Sequence, residues 1–298
     1  MEYTRLLHTV CLTGALVLSS LTFVSIPSDV VANELTPEQD ARNRLNFAGR
    51  QRMLTQQIAR NACFVMAGID PDRFVAKTDA AVRQFNTALY GLRHGDTNLG
   101  LFEEQQAAVL SDLEAVEILW RTLGAASRQI AAGDTHPVPM EQLIRLNVET
   151  KDAMNTAVHT IEKHYGDRGM GADLARTINL AGRQRMLSQR ASKEVCFFVL
   201  DITSGGSAEM VQATLAEFDT AMNDLLEGSQ KRGIIAPPDR QIKKQLERTQ
   251  KAWDRFKKLL SALETGEALT AGDRVTLANL SDQVLREMDL AVWMYSEQ

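Results

Sequence analysis

The feature that most constrains this chain is an internal repeat at a fixed offset of 133 residues. The segment Asn46–Gln56 (NFAGRQRMLTQ) aligns with Asn179–Gln189 (NLAGRQRMLSQ), and over 21 aligned residues 11 positions are identical. Chance would give about one or two identities at average residue usage. The same offset pairs Phe85 with Phe218, Gly95 with Gly228, Trp120 with Trp253 and Gly133 with Gly266. A unit of this length is domain-sized, so the pattern predicts a tandem duplication.

The first 32 residues have the pattern of a leader. Arg5 and His8 precede an apolar stretch at 10–26, Pro27 ends it, and small residues follow at 30–32. This pattern is typical of a secretory signal peptide and predicts a periplasmic protein; an uncleaved anchor is the alternative, because ~17 apolar residues could just span a bilayer. The remaining 266 residues are twice 133. The predicted domains are therefore a signal peptide at 1–32 and two copies at 33–165 and 166–298.

Each copy is predicted to be helical, since apolar residues recur at intervals of three and four and breakers fall at helix-length spacing. Thr36-Pro37-Glu38-Gln39 is a helix start signal, and the first helix is expected to run from about Pro37 to Ala67. The predicted fold is all-α: two tandem antiparallel four-helix bundles that form a pseudo-twofold pair through their first helices. In the first copy the other breaks are expected near Gly95 and Gly133, and a fourth helix is expected to begin after Pro137 and Pro139. In the second copy the breaks are expected at Gly205-Gly206, 233–238 and Gly266.

The charge pattern of the first helices is unusual for an acidic protein with a net charge of -5. Acidity disfavours nucleic acid as a partner, because phosphate binding needs a surplus of Lys and Arg. The stretches between Ala41 and Ile69 and between Leu174 and Lys193 nevertheless contain no Asp or Glu. Their basic residues are Arg42, Arg44, Arg50, Arg52 and Arg60, and Arg176, Arg183, Arg185, Arg190 and Lys193. Without carboxylates in their own helix they need other partners, which could be acids on neighbouring helices, water or a ligand.

Helical geometry places small and polar residues on one face with Arg52 and Arg185. If the two first helices face each other, these guanidinium groups converge and repel unless an anion lies between them. Their planar donors suit a small oxyanion such as nitrate, nitrite or a carboxylate. The candidate ligand-binding residues are Gly49, Arg52 and Gln56 in the first copy and Gly182, Arg185 and Gln189 in the second.

Cys63 and Cys196 lie on the same face, three turns beyond the arginines. Either a disulfide across the interface or two buried free thiols fits this position. The histidines do not form a metal-ligand pattern, and the chain has neither a nucleophile motif nor a phosphate-binding glycine loop. We therefore expect no metal, no cofactor and no enzymatic activity.

The repeated segments resemble the first-helix motif of PilJ-type domains, the sensory N-terminal modules of type IV pili methyl-accepting chemotaxis transducers. They are also similar to the motif of NarX-type nitrate and nitrite sensor kinases, roughly Ile-Asn-x-Ala-Gly-x-x-Arg-Met, which matches 45–53 and 178–186. The resemblance implies a periplasmic helical bundle that pairs through its first helices and binds nitrate there. By motif position, Gly49, Arg52, Gly182 and Arg185 would contact the anion. Arg50 and Arg183 depart from that pattern, because NarX-type sensors carry a small residue there.

Family sensors continue into a second membrane span and a signalling module, neither of which follows the second copy here. The leading hypothesis is a periplasmic protein that binds or senses nitrate or nitrite, without an output domain of its own. It would act through a membrane-bound receptor, kinase or transporter component. The alternative is an envelope adaptor that uses its bundle to contact a pilus or chemoreceptor component without a small ligand.

Overall fold

The computed structural model describes residues 35–134, 136–166, 168, 170–264 and 269–298, and side chains at 261–264 are not described. The predicted signal peptide at 1–32 and the break at Gly266 lie outside these ranges. Residues 35–298 form one compact unit. The described elements are almost entirely α-helical, which confirms the all-α prediction.

The first four helices are α1 (Pro37–Met66), α2 (Pro71–His94), α3 (Ala107–Ala131) and α4 (Pro137–Tyr165). The start of α1 follows from its sequence: the Thr36 hydroxyl accepts from the Gln39 amide, and the Gln39 side chain accepts from the Thr36 amide. Short connections fold α1 against α2 and α4, and α3 against α2 and α4. The result is a four-helix bundle.

Helices α5 (Ala172–Val199), α6 (Ala208–Glu227), α7 (Arg240–Glu264) and α8 (Ala271–Ser296) repeat this arrangement. Helix α5 packs against α6 and α8, and α7 packs against both of those helices. Equivalent side chains make equivalent contacts: Gln51 Nε2 donates to the Phe85 carbonyl at 2.9 Å, and Gln184 Nε2 donates to the Phe218 carbonyl at 2.8 Å. The most extensive helix contact in this unit joins α1 to α5.

The structure corrects two details of the sequence prediction. Helix α4 begins at Pro137 itself, because a proline needs no amide partner in the first helical turn. A short antiparallel hairpin, β1 (Gly95–Asp96) with β2 (Leu101–Glu103), joins α2 to α3 where no strand was predicted. These strands are too short to show the alternation on which strand prediction depends. Within the described ranges, no helix combines the length and the apolarity needed to cross a bilayer.

Candidate functional site

The contact between α1 and α5 brings the guanidinium groups of Arg52 and Arg185 together beside two glycines. A Cβ atom on Gly49 would lie 3.5 Å from Nη2 of Arg52 and 3.6 Å from Nη2 of Arg185. A Cβ atom on Gly182 would lie 3.4 Å from Nη2 of Arg185 and 3.8 Å from Nη2 of Arg52. Four of the six predicted ligand-binding residues therefore meet at one point of the interface, and both arginine side chains are buried there.

Each arginine is held by an asparagine from the other repeat. Arg52 Nη2 donates to Asn179 Oδ1 at 2.7 Å, and Arg185 Nη1 donates to Asn46 Oδ1 at 3.0 Å. Asn46 and Asn179 open the two repeated motifs, so their identity at the 133-residue offset was the sequence signal that could have identified them. Sequence reasoning had not assigned them to the site.

The fourth helix of each repeat supplies a further acceptor. Arg52 Nη1 donates to Asn155 Oδ1 at 2.9 Å, and Arg185 Nη1 donates to Asp289 Oδ1 at 3.1 Å. Asp289 also pairs with Arg50 at 3.1 Å, which identifies the partner of that arginine. The site thus has a neutral amide on one side and a carboxylate at the equivalent place on the other.

The electrostatic environment of the two arginines is unfavourable. Burial, followed by the charge of Arg185, lowers the pKa of Arg52 to about 9. Burial also lowers the pKa of Arg185, and the Asp289 carboxylate opposes that shift. Among the described residues no carboxylate forms an ion pair with Arg52, and the Nε atoms of both arginines are buried without an acceptor. The point of convergence therefore has positive charge that the protein only partly compensates.

Gln56 and Gln189, the two glutamines predicted to bind the ligand, lie one helical turn beyond the arginines. Gln56 Nε2 donates to the Asn147 carbonyl on α4 at 3.3 Å, and Gln189 Nε2 donates to the Ser281 carbonyl on α8 at 3.3 Å. Lys193 Nζ donates to Gln56 Oε1 at 2.8 Å across the interface. These amides are bonded to neighbouring helices, and no contact joins them to the arginine pair in the described structure.

Three arginines of the acid-free stretches do have carboxylate partners within their own helix. Arg44 Nε pairs with Asp40 at 2.8 Å, Arg190 Nε pairs with Glu194 at 2.7 Å, and Arg176 pairs with Asp173. The expectation that all of them lack such partners was wrong, because these acids lie just beyond the ends of the stretches or one turn away. Arg52 and Arg185 are not among these exceptions.

A disulfide joins α1 to α5 beyond the arginine pair. Cys63 and Cys196 are bonded, with their Cα atoms 6.2 Å apart. Since both cysteines are buried and lie at equivalent positions of the repeats, the bond links the two bundles where they meet.

A cavity of about 290 Å³ lies beside Arg52 and connects the interface to the surface. Its polar lining consists of Arg52, Asn155, His159, Glu162, Arg176, Asn179, Arg183 and Arg232. Arg176, Arg183 and Arg232 each pair with a carboxylate. Within the ranges described, no group of three or more His, Cys, Asp or Glu residues could hold a metal ion. The cavity therefore brings four guanidinium groups and one carboxylate to the edge of the interface.

The comparisons with known proteins agree with this architecture. A family model described as type IV pili methyl-accepting chemotaxis transducer N-term, PilJ, matches residues 38–146 and 172–282. A methyl-accepting chemotaxis protein, McpN, of Pseudomonas aeruginosa is 27% identical over 120 residues, which span 40% of this chain and 22% of that protein. Because the two matched segments cover more than half of the chain, it belongs to the PilJ family, whose domains are sensory and not enzymatic.

Proposed function

We propose that this protein is a periplasmic sensory module that binds one small planar oxyanion, nitrate or nitrite, between α1 and α5. Gly49, Arg52, Gly182 and Arg185 would contact the anion. The two repeats would act as the two halves of a NarX-like dimer, related by a pseudo-twofold axis within one chain. A membrane-bound receptor, kinase or transporter component would receive the signal.

The observation that carries this proposal is the buried pair of guanidinium groups beside Gly49 and Gly182. A guanidinium has five N–H donors. Arg52 makes three hydrogen bonds and Arg185 makes three, so at least two donors on each remain for a ligand. An anion at this point would accept hydrogen bonds and favour the charged forms of both arginines, whose pKa values are lowered by burial and, for Arg52, also by the charge of Arg185.

Equivalent contacts in the two repeats support the tandem arrangement. Arg52 bonds the motif asparagine of the second repeat, and Arg185 bonds that of the first. The disulfide joins equivalent cysteines, as expected for a site built from two related halves. The amides of Gln56 and Gln189 would hold α4 and α8, which carry Asn155 and Asp289, in register with the arginines.

Calorimetric titration of the full chain with nitrate, nitrite, sulfate and acetate tests the proposal. The sharpest variant is Gly49→Ala with Gly182→Ala, because each new methyl group would occupy the space beside the guanidinium groups at ordinary contact distances. It retains both charges, and replacing helical glycine by alanine stabilises a helix by about 1 kcal/mol per site. Nitrate or nitrite should bind the parent chain once and should not bind this variant.

Arg52→Ala with Arg185→Ala should abolish binding as well, whereas Arg42→Ala, outside the convergence point, should leave it intact. A ligand that binds only the folded state should also raise the melting temperature of the parent chain. Equal binding by the alanine pair and the parent chain would place the anion elsewhere and refute this site.

The second candidate function is an envelope adaptor without a small ligand. One observation favours it: every terminal nitrogen of Arg52 and Arg185 already donates to a protein acceptor, so the pair has a structural role without an anion. The adaptor hypothesis expects no heat and no thermal shift with any of the four anions. It also expects the arginine variants to lose stability without any change in ligand response.

A further inference from the structure

A groove between α2 and α3 on the first bundle is a second cavity with a distinct chemistry. Its volume is about 390 Å³, within the roughly 300–1,000 Å³ typical of small-molecule sites. Tyr90, Arg93, Trp120, Gly124 and Arg128 are among its lining residues. None of the residues proposed to bind the oxyanion lines this groove.

Part of the groove lining is a largely buried indole ring, since Trp120 borders the groove but is only 5% exposed. Trp120 stacks on Phe85 with ring centroids 3.7 Å apart, and its Nε1 donates to Asn86 Oδ1 at 2.6 Å. A Cβ atom on Gly124 would lie 3.3 Å from the Trp120 ring, closer than most Cβ contacts. Gly124 also lines the groove, so a larger residue at this position would crowd the ring and reduce the volume of the groove.

The rim of the groove is cationic. Arg93 and Arg121 both pair with Glu117, which holds them in place. Arg93 Nε is buried without an acceptor, and in the described part of the chain no carboxylate pairs with Arg128. Three guanidinium groups thus surround one carboxylate, and the ring of Tyr90 is 63% exposed.

The equivalent position on the second bundle, between α6 and α7, carries a lysine that is paired with carboxylates. Lys257 stands where the first repeat has Gly124, and its Nζ donates to both carboxylate oxygens of Asp219 at 2.9 Å. Asp219 in turn replaces Asn86, and Trp253 is fully buried. Asp254 replaces Arg121. The two equivalent positions therefore differ in side-chain volume and charge: Gly124 and Arg121 on the first bundle correspond to Lys257 and Asp254 on the second.

We propose that the α2–α3 groove binds a small aromatic carboxylate. Its ring would pack against the exposed Tyr90 and against the part of Trp120 that borders the groove, since aromatic pairs gain stability beyond area burial. Its carboxylate would accept hydrogen bonds from Arg93 and Arg128, which have N–H groups without a protein acceptor among the described residues. This ligand class is the one that aromatic side chains and a surplus of guanidinium groups recognise together. The proposal goes beyond oxyanion binding and does not depend on it.

Titration of the full chain with benzoate, followed by calorimetry and tryptophan fluorescence, tests this site. The neutral isostere benzamide should bind at least about tenfold more weakly, because it lacks the charge that the arginines recognise. Asn86→Asp with Gly124→Lys copies the Asp219 and Lys257 pair of the second bundle into the first, where the lysine side chain would occupy the groove, and should abolish benzoate binding. Its helical circular dichroism should match that of the parent chain, since Lys257 and Asp219 occupy the same positions in α7 and α6.

Arg128→Gln is the second variant, because an exposed side chain can be replaced without disturbing the core. It should weaken benzoate binding by roughly tenfold. The reverse change, Asp219→Asn with Lys257→Gly, should not create benzoate affinity, because Asp254 stays in place of an arginine.

Benzoate binding should persist in Arg52→Ala with Arg185→Ala, which distinguishes this groove from the oxyanion site. Three results would overturn the proposal: no benzoate binding at millimolar concentration, equal affinity for benzamide, or undiminished binding in both groove variants. Loss of benzoate binding in the Arg52 and Arg185 variant would assign the ligand to the interface between α1 and α5 and would also overturn it.

Discussion

The two repeats are more alike at the interface between α1 and α5 than in the outer grooves of their bundles. At the interface both repeats carry the same Asn, Gly, Arg and Cys at equivalent positions, and the members of each pair meet or cross-bond. In the outer grooves Gly124 is matched by Lys257 and Asn86 by Asp219. A residue at the interface contacts the other repeat, so its replacement must suit both. A groove residue contacts only its own bundle and can change independently.

The interface itself is not fully symmetric. Arg60 and Lys193 are equivalent by the 133-residue offset, and both are buried. Arg60 Nη1 pairs with Asp282 at 3.1 Å, whereas Lys193 Nζ donates to the neutral oxygens of Gln56 and Asn147. One equivalent cation is thus neutralised by a carboxylate in direct contact, and the other is not.

The largest expected loss of stability comes from removing the disulfide at the interface. Replacing Cys63 and Cys196 by serine should lower the free energy of unfolding by about 5 kcal/mol, because a bond that closes a loop of this length restricts the unfolded chain strongly. Chemical denaturation measures this change in the free energy of unfolding. The reduced parent chain should behave like the double variant, and equal stability of oxidised parent and variant would contradict the prediction.

The next effect compares the two equivalent tryptophans. Trp253→Ala should cost about 4 kcal/mol, because this fully buried ring stacks on both Phe218 and Phe256. Trp120→Ala should cost about 1 kcal/mol less, since Trp120 borders the open groove and has one stacking partner in the described structure. Denaturant midpoints of both variants provide the comparison, and an equal or reversed order would contradict the prediction.

A smaller effect concerns Lys193. Burial first, and then the charges of Arg190 and Lys151, lower its pKa from 10.5 to about 8, although Glu194 opposes the shift. Between about pH 8 and 10.5 the unfolded chain then binds the proton and the folded chain does not. The free energy of unfolding should therefore rise with pH in this window, relative to Lys193→Met, by at most about 1.4 kcal/mol per pH unit.

Denaturation of the parent chain and Lys193→Met at several pH values measures this difference. Arg60→Met is the comparison at the equivalent position. Burial also lowers the pKa of Arg60, but the paired Asp282 carboxylate opposes that shift, so this variant should change the slope less than Lys193→Met does. Identical slopes in the parent chain and Lys193→Met would mean that Lys193 keeps its ordinary pKa.

The smallest effect concerns Arg50 and Arg183, the equivalent arginines at which the NarX-type pattern has a small residue. Arg50 pairs with Asp289, and Arg183 pairs with Glu217, both partly exposed. Such ion pairs contribute about 0–1 kcal/mol, so alanine at either position should change stability by less than about 1 kcal/mol. Arg50→Ala should have the larger effect on anion affinity, because Asp289 also contacts Arg185. Equal anion affinities in the two variants would show that Asp289 does not influence anion binding.

Much of the fold followed from local sequence signals. The capping box at Thr36 and Gln39 defines the start of α1, and Gly95 and Gly133 lie just beyond the ends of α2 and α3, as predicted. The hairpin between α2 and α3 was missed because its strands are too short to show an alternation of apolar and polar residues. The convergence of Arg52 with Arg185 followed from the repeat together with helical geometry.

What the sequence by itself determined was the all-α class, most helix boundaries and the face that carries the paired arginines, because caps, breakers and periodicity act over a few residues. Only the tertiary structure decided the partners of these side chains. The acceptors of Arg52 lie on α4 and α5, and the amides of Gln56 and Gln189 turn to α4 and α8. The open groove at Gly124 likewise depended on how α3 packs against α2. Hydrogen bonds between helices depend on rotamers and helix register, which are set when the whole bundle packs.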